Sequence, residues 1–482
     1  MSRESFPNDV PKPAGNTATY MSIVAAGFGM FLAALDISVN VALPAMRTGL
    51  GSDLHSIQWV IVVFVATRAG LVIGIGNLAD KFGLKSIFIF GAGIYLFSMV
   101  FISLSDTLSY VVIFRITQAI GTGSLYAVSP AIAAQSFPTN RQGLAMGFTT
   151  ASQALGMLAG TIGAGWLMLW FPWQSVFLFR IPFLLMALAI ALIFMKHFRR
   201  SDKSLPLDIL GGLTLMIGLC SLVIGLRLGR AIGWLDPIVV SCLILTPIAM
   251  IIFWRNTSKA EYPVLPKTLL KSRYFATALA SMFLAHMGIF VIWFVFPFYI
   301  IDILGLGALF LGVMLAVMAS FNTVSSLVAG YLIDRIGHRI IGLTGLLSLS
   351  LGLFTMAYLT PDSNLFEIGF RIAIVGIGIG LFQSAAYYQV ISNTSGERMG
   401  TASGALSMSQ SFGTVFSVAT IGAIFAIISQ TESNLLNASG VFGPDLKALA
   451  FMKAYQDVFH IGSIVALVSV PIFTLLSKQN ST

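Results

Sequence analysis

The chain has 482 residues, 57% of them hydrophobic and only 9% charged, against about 25% charged in ordinary soluble domains. That composition excludes a soluble globular protein, and its two cysteines, Cys220 and Cys242, both in apolar stretches, imply neither a disulfide framework nor a metal site. The formal net charge of +9 would suit a polyanion, but its distribution along the chain makes a nucleic-acid partner unnecessary.

Residues 1–19 are polar and contain prolines, without the apolar core and small-residue cleavage site of a secretory signal, and read as a cytoplasmic tail. Apolar runs of about 20 residues, enough to cross roughly 30 Å of hydrocarbon, follow. They fall at 20–43, 57–77, 86–104, 107–134, 144–168, 174–195, 207–226 and 237–254. Six more follow at 275–300, 309–332, 340–360, 364–390, 400–428 and 456–477, so the expected fold is an all-α integral membrane protein of fourteen spans. With the N-terminus inside, 18 of the 27 Lys and Arg fall on the cytoplasmic side, five outside (Arg47, Arg227, Arg230, Lys447 and Lys453) and four in spans. This asymmetry is the positive-inside signature, and it sets both termini in the cytoplasm. Segment 255–274, basic and interrupted by prolines, reads as lying along the inner interface, and 430–455 as the longest external loop.

One turn occurs twice. Gly76-Asn-Leu-Ala-Asp80-Lys81-Phe-Gly83-Leu-Lys85 returns as Gly330-Tyr-Leu-Ile-Asp334-Arg335-Ile-Gly337-His-Arg339, each copy between the second and third spans of its half. Arg115 returns as Arg371, and Arg141, Gly143, Gly147, Gln153 and Gly156 return as Arg398, Gly400, Gly404, Gln410 and Gly413, at nearly the same offset of about 256 residues. A duplicated six-helix unit explains these offsets together. The first six spans occupy only 20–195, so spans seven and eight are an insertion between the halves. The expected organisation is a tail at 1–19, a six-helix bundle at 20–197, two inserted helices and a linker at 198–274, and a second six-helix bundle at 275–478, with the inserted pair outside the bundles.

The paired turns resemble the cytoplasmic loop signature of the major facilitator superfamily, over essentially the whole chain. Leu35-Asp36-Ile-Ser-Val-Asn40-Val-Ala-Leu43-Pro44 resembles the helix 1 signature of its fourteen-helix drug:proton antiporter branch. Phe114-Arg115-Ile-Thr-Gln118-Ala119-Ile-Gly121-Thr-Gly123 resembles the family's Arg-x-x-Gln-Gly-x-Gly, with Ala119 in place of the first glycine. The resemblance implies the major facilitator fold and proton-coupled transport of small amphipathic organic molecules, by family default drug-type export. The expected setting is a monomer, without cofactor, in a bacterial inner membrane. It ties Arg115 to proton coupling. It also implies that Gly76, Asp80, Lys81, Gly83, Gly330, Asp334, Arg335 and Gly337 gate the cytoplasmic side, the turn glycines permitting close approach.

Of 18 acids, Asp36 alone lies well inside an apolar span, where a carboxylate must face a partner or water. Arg115, at similar depth, and Arg68, in the middle of span two, are its expected partners in proton coupling; no intramembrane acid partners Arg371. Desolvation and a nearby arginine push a carboxylate's proton affinity in opposite directions, so a moving arginine would make Asp36 a proton switch. The expected substrate-binding set is Asn40, Gln118, Tyr126, Gln153, Arg180, His286, Trp293, Asn322, Gln383, Tyr387 and Gln410. A few placed hydrogen-bonding groups in an apolar setting suit an amphipathic organic ligand. His286 is a second candidate proton carrier.

Two departures from the branch count against export. Gly156-Met-Leu-Ala-Gly160-Thr161-Ile-Gly163-Ala164-Gly165 lacks the proline of the antiporter pattern, and the span interiors hold four arginines and one aspartate, which disfavours cations. The alternatives are an uptake permease for a neutral or anionic aromatic nutrient, a vitamin such as riboflavin, and a membrane sensor that binds without transporting. No catalytic pair, nucleophile–base set, phosphate loop or metal cluster points to an enzyme, so the energy must come from an ion gradient.

Overall fold

The computed structural model describes residues 16–198, 208–440 and 443–475, and all regular structure there is helical. Most of the expected tail (1–15), the basic residues of 199–207 and the C-terminal end (476–482) lie outside the described residues. Helix is what the solvent demands: inside hydrocarbon every backbone N–H and C=O must be satisfied within its own segment.

The first half comprises α1 (Asn16–Ala34), α2 (Ser38–Gly49), α3 (Trp59–Phe82), α4 (Leu84–Ser103), α5 (Leu108–Ser136), α6 (Gln142–Trp170) and α7 (Ile181–Ile193). Between the halves stand α8 (Ile209–Ile232) and α9 (Pro237–Thr257), the pair expected as an insertion. The second half holds α10 (Arg273–Phe298), α11 (Ala308–Ile336), α12 (His338–Met356), α13 (Leu365–Ser392), α14 (Met399–Ala438) and α15 (Pro444–Leu475). The first span is not one helix: a tight 3₁₀ turn at Leu35–Ile37 separates α1 from α2.

Thirteen helical spans among the described residues are long and apolar enough to cross a membrane. The expected fourteenth, 144–168, is helical as well, as α6, 29 residues and about 43 Å long, but it is not among those thirteen. Its small residues serve contact with protein. A Cβ at Gly147 would come within 2.7 Å of Gly330 Cα, and one at Gly160 within 3.0 Å of the Leu35 carbonyl oxygen.

The halves repeat the same packing. α1 packs on α6, α3 on α5 and α4 on α5; correspondingly α10 packs on α14, α11 on α13 and α12 on α13. Two crossed pairs join the halves, α3 with α14 and α6 with α11. Helices α8 and α9 pack on each other, and α8 lies against the outer side of α3, where the Cys220 thiol donates to the Ala66 carbonyl at 3.3 Å.

The expected external loop at 430–455 is mostly helical. α14 runs on to Ala438 and α15 starts at Pro444, leaving a short connection in which Gly440 and Gly443 take φ of 88° and 78°. Tertiary packing overrides polarity here: Ala450, Ala454 and Tyr455 are buried, and the Tyr455 ring lies 5.0 Å from that of Tyr299.

Candidate functional site

The 3₁₀ turn puts Asp36 at the centre of a charged cage. Arg115 donates to both of its oxygens, at 2.6 and 3.1 Å, and Gln118 Nε2 donates to Oδ1 at 2.8 Å. Arg180 adds a fourth contact at 3.2 Å to the same oxygen. The cage is itself held. Arg115 Nε donates to the Val60 carbonyl at 2.9 Å, and its Nη1 to Gln118 Oε1 at 2.7 Å, so arginine and glutamine are fixed one helical turn apart on α5. Arg180 donates to Ser38 Oγ at 2.5 Å and to the Tyr95 hydroxyl at 3.4 Å. Both guanidiniums are out of solvent, 1% and 0% exposed, while the Asp36 side chain keeps 12%. One carboxylate thus binds together α1, α2, α5 and the start of α7, and is shared by two permanent cations.

A second polar cluster lies at the seam between the halves. Gln153 Nε2 donates to the Tyr126 hydroxyl at 3.1 Å, and Gln383 Nε2 donates across the seam to Gln153 Oε1 at 2.9 Å. Thr150 and Ser384 share a bond at 2.6 Å, and Tyr387 meets Ser407 at 3.3 Å. Arg68, Val72, Tyr126, Ser407, Gln410 and Ser411 line a small cavity of about 10 Å³. A larger, open and apolar groove of about 440 Å³ runs between α10 and α14 past Leu279, Phe283, Met408 and Phe412, on the opposite face of α14.

The repeated turns close one end of the seam. Asp80, at the end of α3, accepts the backbone N–H groups of Gly400 and Thr401 at 2.7 and 2.8 Å, and the Thr401 hydroxyl at 2.7 Å. Asp334, at the end of α11, accepts those of Gly143 and Leu144 at 2.7 and 3.0 Å. Each aspartate therefore satisfies the orphan donors at the first turn of a helix in the other half, where the helix dipole favours an anion. Lys81 and Arg335 stand in the last turns of α3 and α11, and Arg335 stacks on Tyr331 at 4.3 Å. Gly83 and Gly337 have a different use from the expected close approach. They take φ of 97° and 91° to turn the chain between helices, and it is Gly76 and Gly330 that touch the other half.

Residues 26–418 match the family model described as Major Facilitator Superfamily. The chain belongs to the major facilitator superfamily. This facilitator is a multi-pass membrane transporter, not an enzyme. It is 28% identical over 399 residues to the uncharacterized transporter YebQ of Escherichia coli (strain K12), covering 82% of this chain and 86% of that one. It is 23% identical to the multidrug resistance protein Stp of Mycobacterium tuberculosis (strain CDC 1551 / Oshkosh) over 85% of this chain and 76% of that one. The riboflavin transporter RibZ of Clostridioides difficile (strain 630) is 25% identical over 77% of this chain and 80% of its own. In fold it is similar to the human organic anion transporter MFSD10 (TETRAN), with a TM-score of 0.67 at 13% identity over 96% of this chain and 100% of that one.

Within the facilitator fold the expected site residues separate into groups. Asp36, Arg115 and Gln118 come together with Arg180, which was expected at the substrate and instead sits wholly buried in the aspartate cage. Its place just before Ile181-Pro182, a helix start, was the available signal. Tyr126, Gln153, Gln383, Tyr387 and Gln410 gather at the seam with Arg68, whose guanidinium is beyond 4.0 Å of the Asp36 oxygens. Others stand apart. Asn40 is exposed on α2 and Trp293 is partly buried on α10. Asn322 Oδ1 accepts from Ser326 on its own helix at 3.2 Å, against Gly376 and Gly380 of α13. His286 Nδ1 lies 3.0 Å from the Met282 carbonyl, also on its own helix. Arg371 does have an acid partner: it pairs with Glu367 one turn earlier on α13, a contact missed because Glu367 sits at the very edge of the apolar run.

Proposed function

We propose that this facilitator is a proton-coupled exporter of small amphipathic organic molecules, of the fourteen-helix drug:proton antiporter type. In this reading it works as a monomer in the bacterial inner membrane, with both termini and both aspartate turns on the cytoplasmic side. The observation that carries the reading is the Asp36 cage: one intramembrane carboxylate, partly exposed, shared by Arg115 and Arg180. A proton on Asp36 removes the charge that holds two guanidiniums together and loosens α1, α2, α5 and α7 from one another; its departure restores the pair. The seam bonds and the crossed aspartate contacts then exchange as the halves rock. The relative named as a multidrug resistance protein supports this choice of substrate.

The test is transport of a chemically diverse panel into vesicles of known orientation, with and without an imposed proton gradient. Export by proton exchange requires accumulation in inside-out vesicles with an acidic lumen, lost in Asp36→Asn. Accumulation only in right-side-out vesicles establishes the second reading, uptake of a neutral or anionic aromatic nutrient. That reading is favoured by the proline-free stretch Gly156 to Gly165 and by the relative named as a riboflavin transporter.

A further inference from the structure

The third arginine in the span interiors of the first half, Arg68, takes no part in the aspartate cage. Arg68 is half-buried on α3, its guanidinium 5.3 Å from the Phe64 ring and 5.1 Å from that of Tyr126. Its Nη2 reaches across the seam to Ser411 Oγ at 3.5 Å, a long and weak bond. Among the described residues, no carboxylate lies within 4.0 Å of it. Phe64 carries a second guanidinium: Arg115 stands 4.1 Å from the same ring.

Among the described residues Arg68 has no carboxylate in contact and feels Asp36 only from beyond 4.0 Å. A guanidinium stays protonated at every relevant pH, and inside a membrane it needs a counter-charge or water. Asp36 is already divided between Arg115 and Arg180, and Glu367 serves Arg371. The cavity beside Arg68 is walled by a valine, hydroxyls and an amide, with no acid. The Tyr126 hydroxyl accepts from Gln153, which leaves its own proton free to donate into that space, and the side-chain amide of Gln410 lines the same wall. Two aromatic rings lie against the guanidinium, so its N–H edge is what remains for a ligand. A carboxylate matches that edge with two parallel bonds.

We propose that Arg68, with Tyr126 and Gln410, receives the carboxylate of an aromatic organic anion at the seam between the halves. The inference rests on the transporter reading and holds for either direction of transport. The cavity has room for about one water, so the anion enters as the halves part and replaces Ser411 on the guanidinium. Binding of this anion and opening of the seam are then one event, because the bond exchanged is one that spans the two halves.

The test is equilibrium binding to the purified full chain in nanodiscs, without any gradient, using 1-naphthoate, its uncharged counterpart 1-naphthamide and 1-naphthylmethylammonium. The expected result is saturable naphthoate binding, at least about tenfold tighter than that of the amide, as a lost charge-assisted contact implies, with no competition from the ammonium. Arg68→Gln erases the preference and Arg68→Lys, which keeps the charge and loses the fork, restores part of it. Absence of saturable naphthoate binding by monodisperse wild-type protein overturns the proposal. So does a preference over the amide that survives Arg68→Gln. If that variant does not fold, an amide as tight as naphthoate on the wild type is itself decisive. Loss of proton-driven transport with the naphthoate preference intact would instead sink proton coupling alone.

Discussion

Asp80 Oδ1 accepts the backbone N–H of Gly400 at 2.7 Å, a bond between residues 320 apart that belong to opposite halves of the molecule. Its counterpart, Asp334 with Gly143, has the same length. The duplicated turn thus makes a reciprocal clasp, each half capping a helix of the other. The glycines at the capped ends are required by space: a Cβ on Gly400 would come within 2.7 Å of Asp80 Oδ1, and one on Gly143 within 2.7 Å of the Gly330 carbonyl oxygen.

Asp80→Asn should weaken the clasp by removing the charge from three hydrogen bonds. A loss of about 1–3 kcal/mol, roughly 5–150-fold in the ratio of shut to open ends, is the expected scale. Spin labels at Ser86 and Glu397 should report a new, longer distance, and transport should fall more than substrate binding. An unchanged distance together with unchanged transport would count against a gating role.

Gly83→Val and Gly337→Val should each cost about 1–3 kcal/mol, because the glycines occupy positive-φ, extended backbone that a β-branched residue resists. Thermal unfolding in detergent should register the loss. Gly74→Ala is the control, since nothing lies within 4 Å of an added Cβ there.

The Asp36 cage separates coupling from stability. Asp36→Asn should abolish gradient-driven accumulation while binding or downhill exchange stays measurable. Uphill transport by this variant with the wild-type pH dependence would sink the assignment of the coupled proton, and His286 would be the next carrier to examine.

Arg180→Ala should act differently: Asp36 keeps Arg115, but a wholly buried side chain and its bonds to Asp36, Ser38 and Tyr95 are lost, at a cost of about 1–3 kcal/mol. Recovery of monodisperse protein should drop sharply. Asn40→Ala, one turn along but exposed, should not affect it.

The segment after α9 should be held by its contacts with the start of α8 and with Arg398 of the second half. Asp208 receives Gly211 N at 2.7 Å, Asn256 Nδ2 at 2.5 Å and Val264 N at 3.2 Å, while Arg398 stacks on Tyr262 at 3.6 Å. Tyr262→Ala should speed tryptic cleavage at the exposed Lys259 and Lys267 several-fold, roughly as loss of a local tether does. Cleavage at the wild-type rate would show that the stack holds nothing.

Class and spans were legible in the chain's composition alone, because transfer into hydrocarbon adds up residue by residue and needs no knowledge of neighbours, and the expectation of a duplication came from motifs that recur at one offset. Asp36 stood out for the same reason: an acid deep in an apolar run is costly wherever the run packs. Arg115 could be matched to it by depth. Tertiary structure alone decided the rest. Arg180 joined the cage and Arg68 did not, since hydropathy gives depth but not the direction in which a side chain points. That an aspartate in this turn could meet a helix N-terminus was legible; which helices Asp80 and Asp334 meet was not, because all the partners but the Thr401 hydroxyl are backbone N–H groups, identical in every residue. The polar stretch 430–455 became helix because α15 packs on α10 and the Tyr455 ring meets Tyr299 just beyond the end of α10, which no local pattern announces. What a residue costs is written along the chain; whom it meets depends on how the chain is folded across itself.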